Sequence, residues 1–196
     1  MIDTDNLLAA IQHRRSMGIS RILPNPVDRI VIERMLEAAN WGQSHGDTEP
    51  WRFVVFMGEG RHQLADHFEF AFHQEHPDGA KQGALEGYRE RAFSAPVSIA
   101  LVMQPSQLED GSLKMSLEEE LMAMATAIQN LHLMASAQGL AGMWHSKGLS
   151  VSAAVAESMG FREPAQLLGF FRCGWPSSEW PAGERGDLAN RVEWVE

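Results

Sequence analysis

The longest helical pattern in the chain is Ser116–Gly139, which reads SLEEELMAMATAIQNLHLMASAQG. Ser116 followed three residues later by Glu119 forms a capping box, in which two free backbone N–H groups at the start of a helix are satisfied reciprocally. Gly139 supplies the left-handed residue that commonly follows the end of a helix. The sequence therefore predicts a helix over Leu117–Gln138, roughly 33 Å long at 1.5 Å per residue.

The predicted helix is apolar around most of its circumference. Its apolar residues are Leu117, Leu121, Met122, Met124, Ala125, Ile128, Leu131, Met134 and Ala135. A helix of this kind needs burial on several sides. In a chain of 196 residues, a second copy of the chain is an economical source of that burial. We therefore expect this helix to lie at the interface of a homodimer.

Shorter patterns predict the other elements. Thr4 or Asp5 caps a first helix, and Asp28 caps a second helix that runs to Trp41. The remaining predicted elements are strands at Phe53–Met57, Val97–Met103 and Leu168–Gly174, two helical stretches between Arg61 and Phe93, and a short helix at Ser152–Met159. The near-continuous apolar run Val97–Met103 indicates a strand buried on both faces. These elements predict a single α+β domain over residues 1–196, with few strands and many helices.

Composition excludes several classes of function. The formal net charge of −10 argues against binding to nucleic acid or to an anionic membrane, both of which favour basic proteins. The single cysteine, Cys173, rules out an internal disulfide and suits a reducing compartment. The N-terminus lacks a signal-peptide pattern, and no apolar run approaches ~20 residues. We therefore expect a soluble cytoplasmic protein.

Two segments near the N-terminus carry candidate chemistry. Arg14-Arg15-Ser16 places two guanidinium groups beside a hydroxyl, which is a natural grip for a phosphate. The alternative is a solvated helix C-terminus, where arginines favourably meet the helix dipole. The loop 43–53, QSHGDTEPWRF, is rich in donors and acceptors. Its alternative is a solvated polar turn in which His45 and Asp47 have no ligand.

A third segment follows the long helix. Leu140–Gly148 reads LAGMWHSKG, in which small residues allow close backbone approach to a ligand. Trp144 offers a flat face, and His145 and Ser146 can donate hydrogen bonds. The alternative is a helix-to-strand connection with a core tryptophan. The spacing of the histidines predicts no metal site, and the chain has no nucleophile motif.

In this order, the segments resemble the nitroreductase family of flavin enzymes, especially its small, compact bacterial branch. The family patterns are Arg-Arg-Ser, Pro-Ser-x-x-Asn-x-Gln-Pro-Trp, and Gly-Leu-Gly-Gly-x-Trp-x-Ser-Gly. Residues 169–176, GFFRCGWP, match the end of a family strand and are interpreted as structural. The chain departs from the family at Gln43, Asp47 and Glu49, where Pro, Asn and Gln are usual. An ionised Asp47 accepts hydrogen bonds but cannot donate them.

The resemblance implies a three-layer fold, with a small mixed β-sheet flanked by helices and the long helix at the dimer interface. It also implies bound flavin mononucleotide (FMN) in sites shared between the subunits. Arg14, Arg15 and Ser16 are expected on the phosphate and ribityl chain. Gln43, Ser44, His45 and Asp47 are expected around the flavin, from the partner subunit. Trp144, His145 and Ser146 are expected on its other side, and Arg185 and Arg191 are the candidates for a further C-terminal contact with the phosphate.

The implied activity is hydride transfer from NAD(P)H, as co-substrate, through FMN to an electron-poor acceptor by a ping-pong mechanism. Nitroaromatics, quinones and enones are candidate acceptors, and no catalytic acid or base is expected. Phe68, Phe70 and Phe72 are interpreted as core residues, and the alternative is that one of them lines the substrate pocket. Two other interpretations stay open: a flavin carrier or oxygen-dependent flavin-processing protein on the same fold, and a flavin-free dimeric interaction module.

Overall fold

A computed structural model of the chain describes residues 3–79 and 83–196. The α-helices are α1 Thr4–His13, α2 Arg29–Asn40, α3 Gly60–Glu75, α4 Ala84–Ala92, α5 Leu117–Ala137 and α6 Ala153–Ser158. The strands are β1 Trp51–Met57, β2 Val97–Met103, β3 Ala141–His145 and β4 Gln166–Gly174. The prediction of two helical stretches between Arg61 and Phe93 includes residues 80–82, which lie outside the described residues.

The four strands form one sheet in the order β1-β2-β4-β3, and every neighbouring pair is antiparallel. All seven residues of β2 are buried. Val97, Ile99 and Leu101 belong to one hydrophobic core, whereas Ala100 and Val102 belong to a second. Because successive side chains of a strand point to opposite faces, β2 lies at the centre of the molecule. The prediction of a strand buried on both faces is confirmed.

Helices cover both faces of the sheet. The first core packs α2 and α5 against one face, and the second packs α3, α4 and α6 against the other. The expected α+β architecture, a small sheet flanked by helices, is therefore confirmed. The sheet is antiparallel rather than mixed, and within the described residues its nearest approach to a parallel pairing is the isolated bridge between Ser16 and Gly142.

Helix α5 forms as its capping pattern predicts. The Ser116 hydroxyl accepts a hydrogen bond from the Glu119 amide at 3.2 Å, and the Glu119 carboxylate accepts one from the Ser116 amide at 3.3 Å. Gly139 follows the helix with a left-handed φ of 81°. One side of α5 is buried against the sheet and α2, but Leu121 and Met122 remain exposed.

Two local predictions were wrong. The cap of α1 is Asp3, not Thr4 or Asp5, because the Asp3 carboxylate accepts from the amides of Asp5 and Asn6. The segment after α5, for which no strand was predicted, contains strand β3, which pairs with β4 along Ala141–His145. This edge strand is reinforced from a distant part of the chain, since the Met17 amide donates to the Gly142 carbonyl at 3.0 Å.

The C-terminal segment folds back onto α1. The Trp180 ring stacks on the His13 ring with centroids 4.9 Å apart, and the Trp180 indole N–H donates to the His13 carbonyl at 2.7 Å. This contact holds residues 180–185 beside the end of α1. Among the helices in residues 3–79 and 83–196, none combines the length and hydrophobicity that a membrane crossing requires.

Gly142 offers a test of this packing. A Cβ at Gly142 would lie 2.5 Å from Cζ of Phe171, a fully buried side chain that has no room to move. We expect Gly142→Ala to lower the free energy of unfolding by about 1–3 kcal/mol, as overpacked core substitutions do. Urea denaturation measures this. Gly18→Ala is the matched control, because a Cβ there meets no atom within 4 Å; equal stability of the two variants would contradict the packing.

Candidate functional site

Three arginines converge on a cavity of about 500 Å³ at the end of α1. Arg14 and Arg15 come from the predicted phosphate grip, and Arg185 comes from the C-terminal segment. No Asp or Glu oxygen of the described residues lies within 4.0 Å of their nitrogens. Burial, followed by the charges of Arg185 and Arg15, lowers the pKa of Arg14. The cavity is therefore a concentrated positive site in an acidic protein.

His132 on α5 holds the arginine pair in place. Its Nε2 lies 3.0 Å from the Arg15 carbonyl, and its Nδ1 lies 3.3 Å from Nη1 of Arg14. Because a carbonyl only accepts hydrogen bonds, Nε2 carries the proton, and Nδ1 accepts from the guanidinium. Burial, followed by the charge of Arg14, lowers the pKa of His132 to about 4. The imidazole is therefore neutral near pH 7.

The first and third predicted segments meet in the structure. Ser16 bridges to Gly142 at the start of β3. Beyond that bridge, Trp144, His145 and Ser146 line a second cavity of about 530 Å³. The indole N–H of Trp144 donates to the Leu168 carbonyl at 2.8 Å, which fixes the ring at the rim. The Ser16–Gly142 contact thus joins the segment that carries Arg14 and Arg15 to the strand that leads to the second cavity.

The second cavity is also positively charged. Its wall contains Arg91, Lys147 and Arg172. Burial, followed by the charges of Arg172 and Arg91, lowers the pKa of His145. Nε2 of His145 is buried and has no hydrogen-bond partner among the described residues.

The loop predicted to surround a flavin lies elsewhere, at the start of α5. Nδ1 of His45 is 2.6 Å from the Glu119 carboxylate, and the Gln43 carbonyl accepts from the Thr126 hydroxyl at 3.2 Å. The Ser44 hydroxyl accepts from the Glu49 amide at 3.4 Å. This loop is therefore anchored to α5 by both side-chain and backbone contacts.

The backbone of this loop turns through the left-handed region. Asp47 and Glu49 have φ values of 52° and 43°, a region in which Asn and Gly are more easily accommodated than Glu. These are two of the positions where the chain departs from the family pattern. Non-glycine residues held in this conformation cost of order 1–3 kcal/mol each. The surrounding contacts therefore have to hold the loop in its shape.

Within one chain, the loop lies N-terminal to the arginine pair along α5. His45 contacts α5 at Glu119 and Gln43 contacts it at Thr126, whereas the arginine pair contacts it at His132. The helix rises roughly 20 Å from Glu119 to His132 and roughly 9 Å from Thr126 to His132. The structure therefore brings together Arg14–Ser16 and Trp144–Ser146, and it places Gln43–Asp47 apart from both.

Phe68 and Phe72 are buried in the second core, in agreement with their interpretation as core residues, and Phe70 is exposed. None of the three lines either positive cavity. Arg191 donates to the carbonyl of Asp187 and is absent from the walls of both cavities. The sequence interpretation missed His132 and Arg172; the available signal was a polar side chain within an apolar helix face or an apolar strand.

Comparison with known proteins identifies the class. Residues 11–175 match the profile described as "Nitroreductase: Nitroreductase family". The chain therefore belongs to the nitroreductase family. It is 26% identical over 182 residues to the Bacillus subtilis (strain 168) protein named "Putative NAD(P)H nitroreductase YfhC", covering 92% of this chain and 90% of that protein.

Solved structures share the fold. The nitroreductase-like family protein from Bacillus cereus superposes with a TM-score of 0.78 at 24% identity, over 100% of this chain and 99% of that one. The FMN-dependent nitroreductase NfnB from Mycobacterium smegmatis, solved in complex with NADPH, gives a TM-score of 0.70 at 20% identity, over 98% and 99% of the two chains.

The buried His132 predicts a specific pH dependence. The unfolded chain protonates this residue near pH 6.5, whereas the folded protein does so near pH 4. As the pH falls, the unfolded state therefore takes up the proton before the folded state does. Stability that is fully present above pH 6.5 is lost as the pH falls towards 4, by up to about 3 kcal/mol.

Urea denaturation between pH 7 and pH 4 measures this loss. We expect His132→Gln, which has no titrating ring, to show a shallower pH dependence than the native protein. His62→Gln is the control, since His62 is an exposed histidine that faces Glu59 at the surface. Parallel pH profiles for the native protein and His132→Gln would show that His132 is not the titrating group.

Proposed function

We propose that the protein is an FMN-dependent oxidoreductase that uses NAD(P)H to reduce an electron-poor acceptor. When bound, FMN supplies the hydride-transfer chemistry, and the protein supplies binding, orientation and electrostatics. The observation that carries this proposal is the convergence of Arg14, Arg15 and Arg185 beside Ser16, which is joined to the strand leading to Trp144–Ser146.

The residues present fit the phosphate of FMN. The cavity holds three guanidinium groups, and Nε of Arg15 is buried without a hydrogen-bond partner among the described residues. Guanidinium groups pair with phosphate oxygens through two parallel hydrogen bonds. Ser16, the next residue along the chain, adds a hydroxyl. The FMN-dependent relative from Mycobacterium smegmatis supports the assignment at the level of the fold.

The flavin ring is assigned to the side of Gly142, along the second cavity. There Trp144, His145 and Ser146 lie at the wall that follows the Ser16 bridge. With FMN bound, Met143 would shield one side of the ring from water, and His145 and Ser146 would provide polar contacts at its edge. No side chain is assigned as a catalytic acid or base.

We further propose a homodimer with α5 at the interface. Helix α1 has no buried residue, and Leu7, Leu8 and Ile11 are all about half exposed. On α5, Leu121 and Met122 are also exposed, and Met122 borders the loop that carries Gln43 and His45. Exposed apolar faces of this kind favour association.

A two-fold axis across the middle of α5 would bring these segments together. The loop lies along the N-terminal half of α5, with contacts at Glu119 and Thr126, and the arginine pair lies at His132 in the C-terminal half. Antiparallel pairing of two α5 helices would bring the loop of one chain to the arginine pair of the other. This arrangement supports the expectation that Gln43, Ser44, His45 and Asp47 act from the partner subunit.

The first experiment is an absorbance spectrum of the purified protein, recorded before and after anaerobic addition of NADPH or NADH. We expect flavin bands near ~450 nm that bleach on addition of the nucleotide. Bands that persist with both nucleotides would favour a flavin carrier. A protein that stays colourless after incubation with FMN would overturn the enzymatic proposal.

Arg14→Ala tests the placement of the phosphate. Loss of one charged hydrogen-bond donor is expected to weaken FMN binding by about 1.5–3 kcal/mol. Titration of the flavin-free protein with FMN, followed by quenching of flavin fluorescence, measures the change. Arg29→Ala is the control, because Arg29 is exposed and pairs with Glu33 on α2. Unchanged affinity in Arg14→Ala would place the phosphate elsewhere.

Met122→Glu tests the interface. We expect the native protein to sediment at twice the chain mass of 21.8 kDa, and Met122→Glu to shift towards the monomer because it places a charge in an apolar contact. Its FMN affinity is expected to fall at the same time, since the partner's loop is lost. Leu188→Glu, at an exposed position in the C-terminal segment, is the control. A native monomer that binds FMN fully would contradict the shared site.

A further inference from the structure

Glu120 is a buried carboxylate that belongs to neither positive cavity. The residue lies in the first turn of α5 and is only 1% exposed. Among residues 3–79 and 83–196, no nitrogen of Lys, Arg or His lies within 4.0 Å of its oxygens. Its position near the N-terminus of a helix favours a negative charge. A carboxylate buried without a cation also needs hydrogen-bond donors.

The donors to Glu120 come from two different loops. The Thr48 hydroxyl donates to Oε2 of Glu120 at 2.7 Å, and the Ser106 amide donates to Oε1 at 3.3 Å. The Ser106 hydroxyl in turn donates to the Thr48 carbonyl at 3.2 Å. We call Glu120, Thr48 and Ser106 the Glu120 clamp. The clamp holds Thr48 by both its side chain and its backbone.

Thr48 lies between the two strained residues of the loop. Its own backbone is in the ordinary right-handed region, with φ −77° and ψ −29°. Asp47 before it and Glu49 after it are both in the left-handed region, with φ values of 52° and 43°. Strained backbone persists only where the surrounding structure over-determines it. Because the clamp fixes Thr48, it opposes relaxation of the chain on both sides.

The neighbouring contact between His45 and Glu119 gives weaker support to the loop. Its two side chains are 69% and 35% exposed, and ion pairs at the surface contribute little to stability. Thr48 is only 8% exposed, so its hydrogen bond to Glu120 is shielded from water. Loss of a buried partner costs the full desolvation of the group left behind. The Glu120 clamp is therefore the contact that determines the shape of the loop.

We propose that Glu120 is a positioning residue, which fixes the shape in which the loop Gln43–Asp47 meets the flavin bound to the partner subunit. The inference rests on the proposed function, because that function assigns FMN to a site shared by two chains. Glu120 acts through Thr48 and does not touch the cofactor. A defect at Glu120 of one chain therefore weakens the site that contains the arginine pair of the other chain.

Glu120→Gln tests the clamp with almost no change in volume. An amide has a single accepting oxygen, so it pairs with either Thr48 or the Ser106 amide and turns its NH₂ group towards the other donor. We expect the Kd for FMN to rise about 10- to 100-fold, the range for a buried polar group left without a partner. Thr48→Val removes the opposite half of the same hydrogen bond, and a rise of the same order is expected.

Glu118→Gln is the matched control for these variants. Glu118 is exposed on the same turn of α5, and its replacement makes the same change of charge. FMN titration followed by quenching of flavin fluorescence measures all three variants, and the control is expected to keep the native Kd. A native Kd in Glu120→Gln would overturn the proposal.

Mixed dimers separate positioning from a general loss of stability. A Glu120→Gln chain and an Arg14→Ala chain are co-expressed with different affinity tags, and the mixed dimer is purified on both tags. One site then combines an intact arginine pair with an intact loop, and the other combines both defects. We expect FMN to bind with native affinity at half the native stoichiometry. A mixed dimer without any site of native affinity would overturn the proposal, because Glu120 would then not act through the loop given to the partner.

Hydrogen–deuterium exchange of the flavin-free protein keeps this inference apart from the proposed function. We expect the peptide spanning the loop 43–50 to exchange faster in Glu120→Gln and Thr48→Val than in Glu118→Gln, with exchange in β2 unchanged. Equal exchange of the loop in all three variants would overturn the inference even if the native protein binds FMN. If the native protein bound no FMN but loop exchange still rose in both clamp variants, the proposed function would fail and the clamp would stand.

Discussion

The packing of α5 between the sheet and α2 is the constraint on which the rest of the structure depends. Met124, Ile128 and Leu131 lie in the core that covers one face of the sheet. Both groups of candidate residues are therefore positioned by the same helix. His132 holds the arginine pair towards its C-terminal end, and Glu119 holds the loop near its N-terminal end. The dimension of the proposed site therefore follows from the rise of a helix rather than from the conformation of a loop.

Most of the fold could be predicted because its signals are local. The capping box at Ser116 and the apolar run Val97–Met103 each determine an element from adjacent residues. Strand β3 could not be predicted in this way, because its pattern is short and interrupted by Gly142. It becomes a strand through pairing with β4 and through the Met17 amide, and both partners are distant in sequence.

The candidate site likewise contains residues that could be predicted from the sequence and residues that could not. Family resemblance predicted the three segments, and the structure joins two of them through the Ser16–Gly142 bridge. His132 and Arg172 escaped prediction because each lies in an apolar pattern that indicates a core. The role of a histidine in a helix or an arginine in a strand can be inferred only when its spatial neighbours are known. Burial without a partner, or with one specific partner, is a property of the tertiary structure.

The C-terminal segment has a further consequence. Stacking of Trp180 on His13 holds Arg185 beside Arg14 and Arg15, so part of the cationic cavity is supplied by residues with almost no regular secondary structure. Trimming the chain to its regular elements, a common step in preparing a protein for crystallisation, would leave the sheet and α5 intact. It would nevertheless remove one wall of the cavity, and a stable, well-folded fragment would then give a misleading picture of what the whole chain binds.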